Sequence, residues 1–164
     1  MKIVIPGDPV PQARMKYSNR NGFVTTYDPK AKEKKEIRQI LEVYKTNVFY
    51  DYPRVSFLFC MPIPSSVLVR EKEMYRSGSL KHDKKPDVDN LVKLYLDCLD
   101  GIILNGDQKV SLGPCVKVYS TDPKTMIWIQ NTARLISPWE LDFVSLDALG
   151  HDKQYSCQPD YHPD

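Results

Sequence analysis

Val55 to Met61 is an almost unbroken apolar run, Val-Ser-Phe-Leu-Phe-Cys-Met, closed at its ends by Pro53 and Pro62. A run this short between prolines lacks the length of a buried helix. It reads as a strand covered on both faces, which belongs at the centre of a sheet. Such a strand demands cover, and the chain offers two amphipathic helices. Asp28-Pro29 starts the first, with an acid able to cap and a proline at the first turn. Its apolar stripe is Ile37, Ile40, Leu41 and Tyr44, and the spacing predicts a helix over 28–47. Lys30, Lys32, Lys34, Lys35 and Arg38 crowd its first half, interleaved with Glu33 and Glu36 in the pattern of a solvated face.

The second helix is predicted over 87–101, with Pro86 presetting φ, Asp87 as cap, and Val88, Leu91, Val92, Tyr95 and Leu99 at helical spacing. Met1 to Ile5 reads as a short strand. Val110 to Tyr119 and Thr125 to Arg134 read as two strands joined around Asp122-Pro123-Lys124, a predicted hairpin. In the second of these, Met126, Trp128 and Gln130 alternate with Ile127 and Ile129, so both faces carry apolar groups and one is available to a dimer interface. The expected fold is a single α/β domain, a small mixed sheet flanked by two main helices. It occupies residues 1–136, and 137–164 form an acidic tail in which Trp139 to Leu149 is the one helical candidate.

Residues left over on the second helix carry charge. Asp89, Lys93 and Asp97 follow one another at i, i+4 and i+8 and share a face. An ordinary account is a solvated face with one ion pair, worth about 0.3–0.5 kcal/mol. Two details point further. Asp87 and Asp89 concentrate at the first turn, where free N–H groups and the macrodipole favour anions, and Asp107 follows an Asn105-Gly106 hairpin signal able to return the chain toward the helix start. Three carboxylates converging to about 5 Å repel by about 3 kcal/mol per pair at an effective dielectric near 20, so such a cluster stays ionised only around a cation. Oxygen ligands without Cys or His favour a hard ion, and few carboxylates with open positions suit Mg²⁺ better than a closed Ca²⁺ cage. Leu91 and Val92 stand where an EF-hand loop needs a ligand and a glycine, which excludes that motif.

Lys85-Pro86-Asp87-Val88-Asp89-Asn90-Leu91, then Lys93, Asp97 and Leu99, then Asp107 and Val110, resembles the signature of the RusA family of Holliday-junction resolvases. The resemblance implies a homodimeric, Mg²⁺-dependent endodeoxyribonuclease, with Mn²⁺ as a substitute ion, that resolves four-way DNA junctions by paired symmetric nicks in recombination and repair. By motif position it places Asp87, Asp89 and Asp107 on the metal and Lys93 beside the reacting phosphate. Asn90 is expected to support these groups from behind, and Asp97, two turns past Asp89, either does the same or is structural. Family members carry adjacent acids followed two residues later by Gln, whereas here Gly106 precedes Asp107 and Lys109 stands at the Gln position.

Charge is compatible with a DNA partner. The net charge of +2 hides an asymmetry: from Ser137 onward there are six acids and one base, Lys153, which leaves 22 bases against 15 acids in residues 1–136. The loop after the first strand delivers Gln12, Arg14, Lys16 and Arg20. The polar segment from Ser66 to Lys85, with Arg76, Lys81, Lys84 and Lys85, is a candidate DNA-contacting flap. Its competing account is a plain surface helix and loop. The acidic tail is either a solubility segment or a competitor for the basic body. Cys60, Cys98, Cys115 and Cys157 show no paired spacing, so reduced thiols are expected, and His82, His151 and His162 fall in no metal or triad pattern. No apolar run reaches membrane-spanning or signal-peptide length, so a cytoplasmic protein is expected. Two further readings stay open: a Mg²⁺-dependent nuclease on forks, flaps or nucleotides, and a nucleic-acid-binding module whose metal site is degenerate at Gly106 and Lys109.

Overall fold

The computed structural model describes residues 1–20, 23–46, 50, 52–66, 75 and 81–132. Strand β4 (Pro53–Pro62) is the predicted central strand. It pairs with β5 (Ser111–Ser120) in parallel and with β6 (Lys124–Asn131) antiparallel, and β1 (Lys2–Pro6) closes the far edge, giving the order β1-β6-β4-β5. The sheet is therefore mixed, as expected. A parallel pair needs a long crossover, and the chain between β4 and β5 contains the second helix.

That crossover overturns the predicted 110–134 hairpin. β5 and β6 are consecutive but do not pair with each other, because β4 lies between them. The apolar run of β4 gains hydrogen bonds on both edges this way, where a β5–β6 hairpin would leave one of its edges open. Thr121 to Pro123 bridge the two inter-strand spacings of about 4.8 Å each. Ser120 Oγ accepts from the Asp122 nitrogen at 3.1 Å, and Lys124 pairs with Asp122 at 2.8 Å.

Helices α1 (Ala31–Glu42) and α2 (Val88–Leu99) cover one sheet face. Ile37 and Leu41 from α1, and Leu91, Leu94, Tyr95, Cys98 and Leu99 from α2, meet Ile3, Val55, Phe57, Phe59, Ile127 and Ile129 from the sheet. Both predicted stripes thus face the core, but α1 is shorter than its 28–47 expectation. Asp28 stands before the helix and accepts the Lys30 N–H at 2.8 Å, and the N-cap is Lys30. The opposite sheet face carries a smaller cluster of Leu58, Cys60, Val118 and Met126, so β6 is apolar on both faces as its alternation implied.

One element escaped the sequence reading. β2 (Lys16–Arg20) and β3 (Phe23–Tyr27) form a two-stranded antiparallel ribbon where only a basic loop was expected. Tyr17, Phe23 and Val24 on it are largely exposed. Its signal was present, since Asn21-Gly22 separates two stretches that are rich in Tyr, Thr, Phe and Val. Expected features at residues 67–74 and 76–80, including Arg76, and in the 137–164 tail lie outside the described residues. Among the described residues Cys98 and Cys115 are free thiols.

Phe59 is fully buried, with its ring 5.5 Å from Phe57 and 5.7 Å from Tyr95, where sheet and α2 meet. Phe59→Ala is expected to lower unfolding free energy by about 3–5 kcal/mol in urea titration, and Phe59→Leu by clearly less.

Candidate active site

The start of α2 collects the acids. Asp87 occupies the N-cap with extended backbone (φ −71°, ψ 146°), but its side chain makes no capping hydrogen bond. The expected side-chain cap is therefore corrected: the carboxylate is left free, and only the Asp87 carbonyl accepts, from the Leu91 nitrogen at 3.3 Å. Asp89 lies in the first turn, and Lys93 one turn on. Asp87, Asp89, Lys93 and Asp107 are all exposed. Among the described residues none of these four side chains forms an ion pair, so the ordinary i,i+4 account of the face is not realised.

Asp97 does something else. Lys34 is wedged between Asp28 at 3.0 Å and Asp97 at 3.2 Å, and the Asp97 and Asp100 carbonyls accept from Arg38 at 2.9 and 2.8 Å. Burial works against the Lys34 charge, but the two carboxylates outweigh it and hold its pKa above the usual lysine value. Asp97 thus fastens α2 to α1, which makes it structural. Asn90 contributes through its carbonyl, which accepts from the Gln12 nitrogen at 2.8 Å. The Val10 nitrogen donates to Tyr95 Oη at 3.3 Å. These two bonds seat the first loop on α2, and Arg14 and Lys16 leave it exposed to solvent.

Asp107 stands apart from the pair. The predicted Asn105-Gly106 hairpin does not form, because Ile102, Ile103 and Leu104 before it are buried in a turn and not in a strand. Gly106, at φ +89°, donates its N–H to Asp100 Oδ1 at 3.0 Å, and Asp107 opens a short 3-10 turn over Asp107–Lys109. Asp100 is the C-cap of α2. Asp107 is therefore held at the C-terminal end of a helix that is about 18 Å long, while Asp87 and Asp89 sit at its N-terminal end. Among the described residues, no group of three or more His, Cys, Asp or Glu side chains is gathered to hold a metal ion. The donor chemistry, carboxylate oxygens without sulfur or imidazole, fits a hard divalent ion. A convergence of all three acids within one chain is not found.

The segment entering the site is pinned from β5. The His82 nitrogen donates to the Lys117 carbonyl at 3.0 Å, Lys81 bridges to Val118, and Tyr119 Oη donates to Asp83 at 3.4 Å. Lys117 Nζ donates to the carbonyls of Lys84 at 2.9 Å and Pro86 at 2.6 Å. Sequence reading passed over Lys117, whose only signal was a lone charge on a strand of mixed exposure. Lys81, Lys84 and Lys85 themselves are exposed. The His82 ring packs 4.6 Å from the Tyr119 ring with Nδ1 buried and unpartnered.

A family profile described as endodeoxyribonuclease RusA matches residues 6–130. The chain belongs to the RusA endodeoxyribonuclease family. The match runs from the last residue of β1 to the penultimate residue of β6 and takes in both helices, with the acids at the start of α2 inside it. The chain is also 30% identical over 138 residues to the uncharacterised protein YqaN of Bacillus subtilis (strain 168), covering 81% of this chain and 97% of YqaN. Membership supports nuclease activity on DNA in a family whose enzymes generally depend on a divalent metal. No described helix is long and apolar enough to cross a membrane.

Burial, then the nearby Lys117 cation, lowers the His82 pKa below its usual 6.5. The unfolded chain therefore takes up this proton first. Its contribution to stability is complete above pH 6.5 and is lost as pH falls toward the depressed folded value. Melting temperature is expected to drop between pH 7.5 and pH 5.5, above the range where carboxylates titrate, and His82→Phe should flatten that drop in thermal denaturation.

Proposed function

We propose that this protein is a divalent-metal-dependent, structure-specific endonuclease that resolves four-way DNA junctions by paired nicks, acting as a homodimer. The observation that carries the reading is the set of exposed, unpaired side chains Asp87, Asp89 and Lys93 at the start of α2, inside the family match. Asp28 and Asp97 are drawn into ion pairs with Lys34, whereas the Asp87 and Asp89 carboxylates are left free to take a ligand.

Asp87 and Asp89 would hold Mg²⁺, with Mn²⁺ as the substitute ion. When bound, such an ion supplies Lewis-acid chemistry at a phosphodiester. Lys93 presents an ammonium one turn beyond Asp89, where it either offsets charge developing on the phosphoryl oxygens or gives its proton to the departing oxygen. Arg14, Lys16, Lys81, Lys84 and Lys85 meet backbone phosphates.

The placement of Asp107 favours the dimer. One chain carries the Asp87–Asp89 pair at one end of α2 and Asp107 at the other, so a two-fold pair of chains offers each acidic pair the partner's Asp107. A four-way junction is itself resolved by two symmetric nicks, which suits a two-fold protein. The non-enzymatic alternative, a DNA-binding module, draws on the same separation of Asp107 together with Gly106 and Lys109.

Asp89→Asn is expected to lower Mg²⁺-dependent nicking of a synthetic four-way junction by more than about 10²-fold while leaving the circular-dichroism spectrum and junction affinity intact. Parallel loss of binding would make Asp89 structural. Absence of nicking by the wild-type chain on junction, fork and linear DNA alike would favour the binding module. Combined Lys81→Ala, Lys84→Ala and Lys85→Ala should make the slope of log K against log [salt] shallower by roughly 0.9 for each lysine that meets a phosphate.

A further inference from the structure

Asp87 has no side-chain hydrogen bond of its own, so its carboxylate is only as well placed as the backbone that carries it. On the helix side that backbone is fixed by the turn that Leu91 closes. On the other side stands Pro86, whose carbonyl belongs to the peptide unit ending at the Asp87 nitrogen. Lys117 Nζ donates to this carbonyl at 2.6 Å and to the Lys84 carbonyl at 2.9 Å. A charge-assisted donor at such range restrains the rotation of the peptide plane.

The rest of the approach is laid along the same strand. The His82 nitrogen bonds to the Lys117 carbonyl, Lys81 bridges to Val118, and Tyr119 reaches Asp83. Residues 81–86 are thereby held to the edge of β5, and the Lys117 side chain is the last fastening before the acids. Among the described residues Lys117 forms no ion pair with a carboxylate. Its ammonium is committed to two main-chain carbonyls, a use that holds backbone geometry and not charge balance.

We propose that Lys117 is a positioning residue for the reaction: it sets the peptide unit of Asp87, and through it the place where the first carboxylate meets the metal. This rests on the nuclease reading above for its catalytic consequence, but its structural half is independent of that reading. Geometry of this kind matters because a misplacement of about 1 Å costs about 10²-fold in rate.

The test uses the full chain with Lys117→Met, which keeps the aliphatic stem and removes the donor, and Lys117→Arg, which keeps a cationic donor. Hydrogen exchange read by mass spectrometry on peptides spanning residues 83–91 should quicken about tenfold or more in the Met variant, reporting local release of that segment. Exchange in β4 should stay as in the wild type. Single-turnover nicking of a four-way junction in Mg²⁺ should fall by about 10²-fold with junction affinity unchanged, and Lys117→Arg should recover much of both losses.

Unchanged exchange over 83–91 in a folded Met variant overturns the proposal. So does a parallel loss of binding and nicking, which would make Lys117 a direct phosphate contact. If Lys117→Met loses its circular-dichroism spectrum, the Arg variant decides: wild-type exchange and rate support the proposal, and a loss in either overturns it. A wild-type chain that does not nick DNA would defeat the nuclease reading, while the exchange comparison would still decide whether Lys117 fixes the segment.

Discussion

Everything in this fold takes its place from β4. Val55 and Phe57 to Met61 are buried, and the strand is hydrogen-bonded on both edges, to β5 and to β6. Because β5 runs parallel to β4, the chain has to cross back over the sheet between them, and α2 is the return. The start of α2 therefore lies toward the carboxyl ends of the parallel strands, where Lys117 reaches Pro86. Open α/β sheets present their ligand sites at that end for the same reason. The position of the candidate site is thus a consequence of how a two-sided apolar strand is covered.

The charges divide along the length of α2. At its C-terminal end they are spent on structure: Lys34 is held by Asp28 and Asp97, and Arg38 closes the last carbonyls. The Arg38 cation also suits the negative end of the helix dipole. At the N-terminal end the opposite holds, since Asp87, Asp89 and Lys93 carry no ion pair among the described residues. Exposed charges of opposite sign four residues apart pair readily on a helix. Their remaining apart here leaves both side chains exposed and unpaired.

The sequence made legible what depends on local periodicity. The apolar run at 55–61, the stripes of α1 and α2, and the double-faced strand at 124–131 were all readable from residue spacing. What depends on partner choice was not. Asp122-Pro123 announces a turn but cannot say whether the strands it joins are neighbours, and the demand of β4 for two partners decided that they are not. Asn105-Gly106 likewise announces a reversal, but the burial of Ile102 to Leu104 made it a loop against the end of the helix. Lys117 was invisible because its function lies in bonds to main-chain carbonyls 31 and 33 residues away, which leave no trace in residue type.

The same limit bears on the acids themselves. Asp89 and Asp107 are separated by 18 positions in the sequence, a spacing that invites a picture of one chain folding three carboxylates together. Ten of the residues between them, 90–99, belong to α2, and a helix spends its length moving away, at about 1.5 Å per residue. Extended chain covers that distance in fewer than about seven residues, so residues 100–106 have the reach to return. They do not, because Gly101, at φ +76°, and Gly106 turn the chain, three apolar side chains between them are buried, and the Gly106 N–H is bonded to Asp100. Core packing thus fixes Asp107 at the far end of the helix, away from the acidic pair of its own chain.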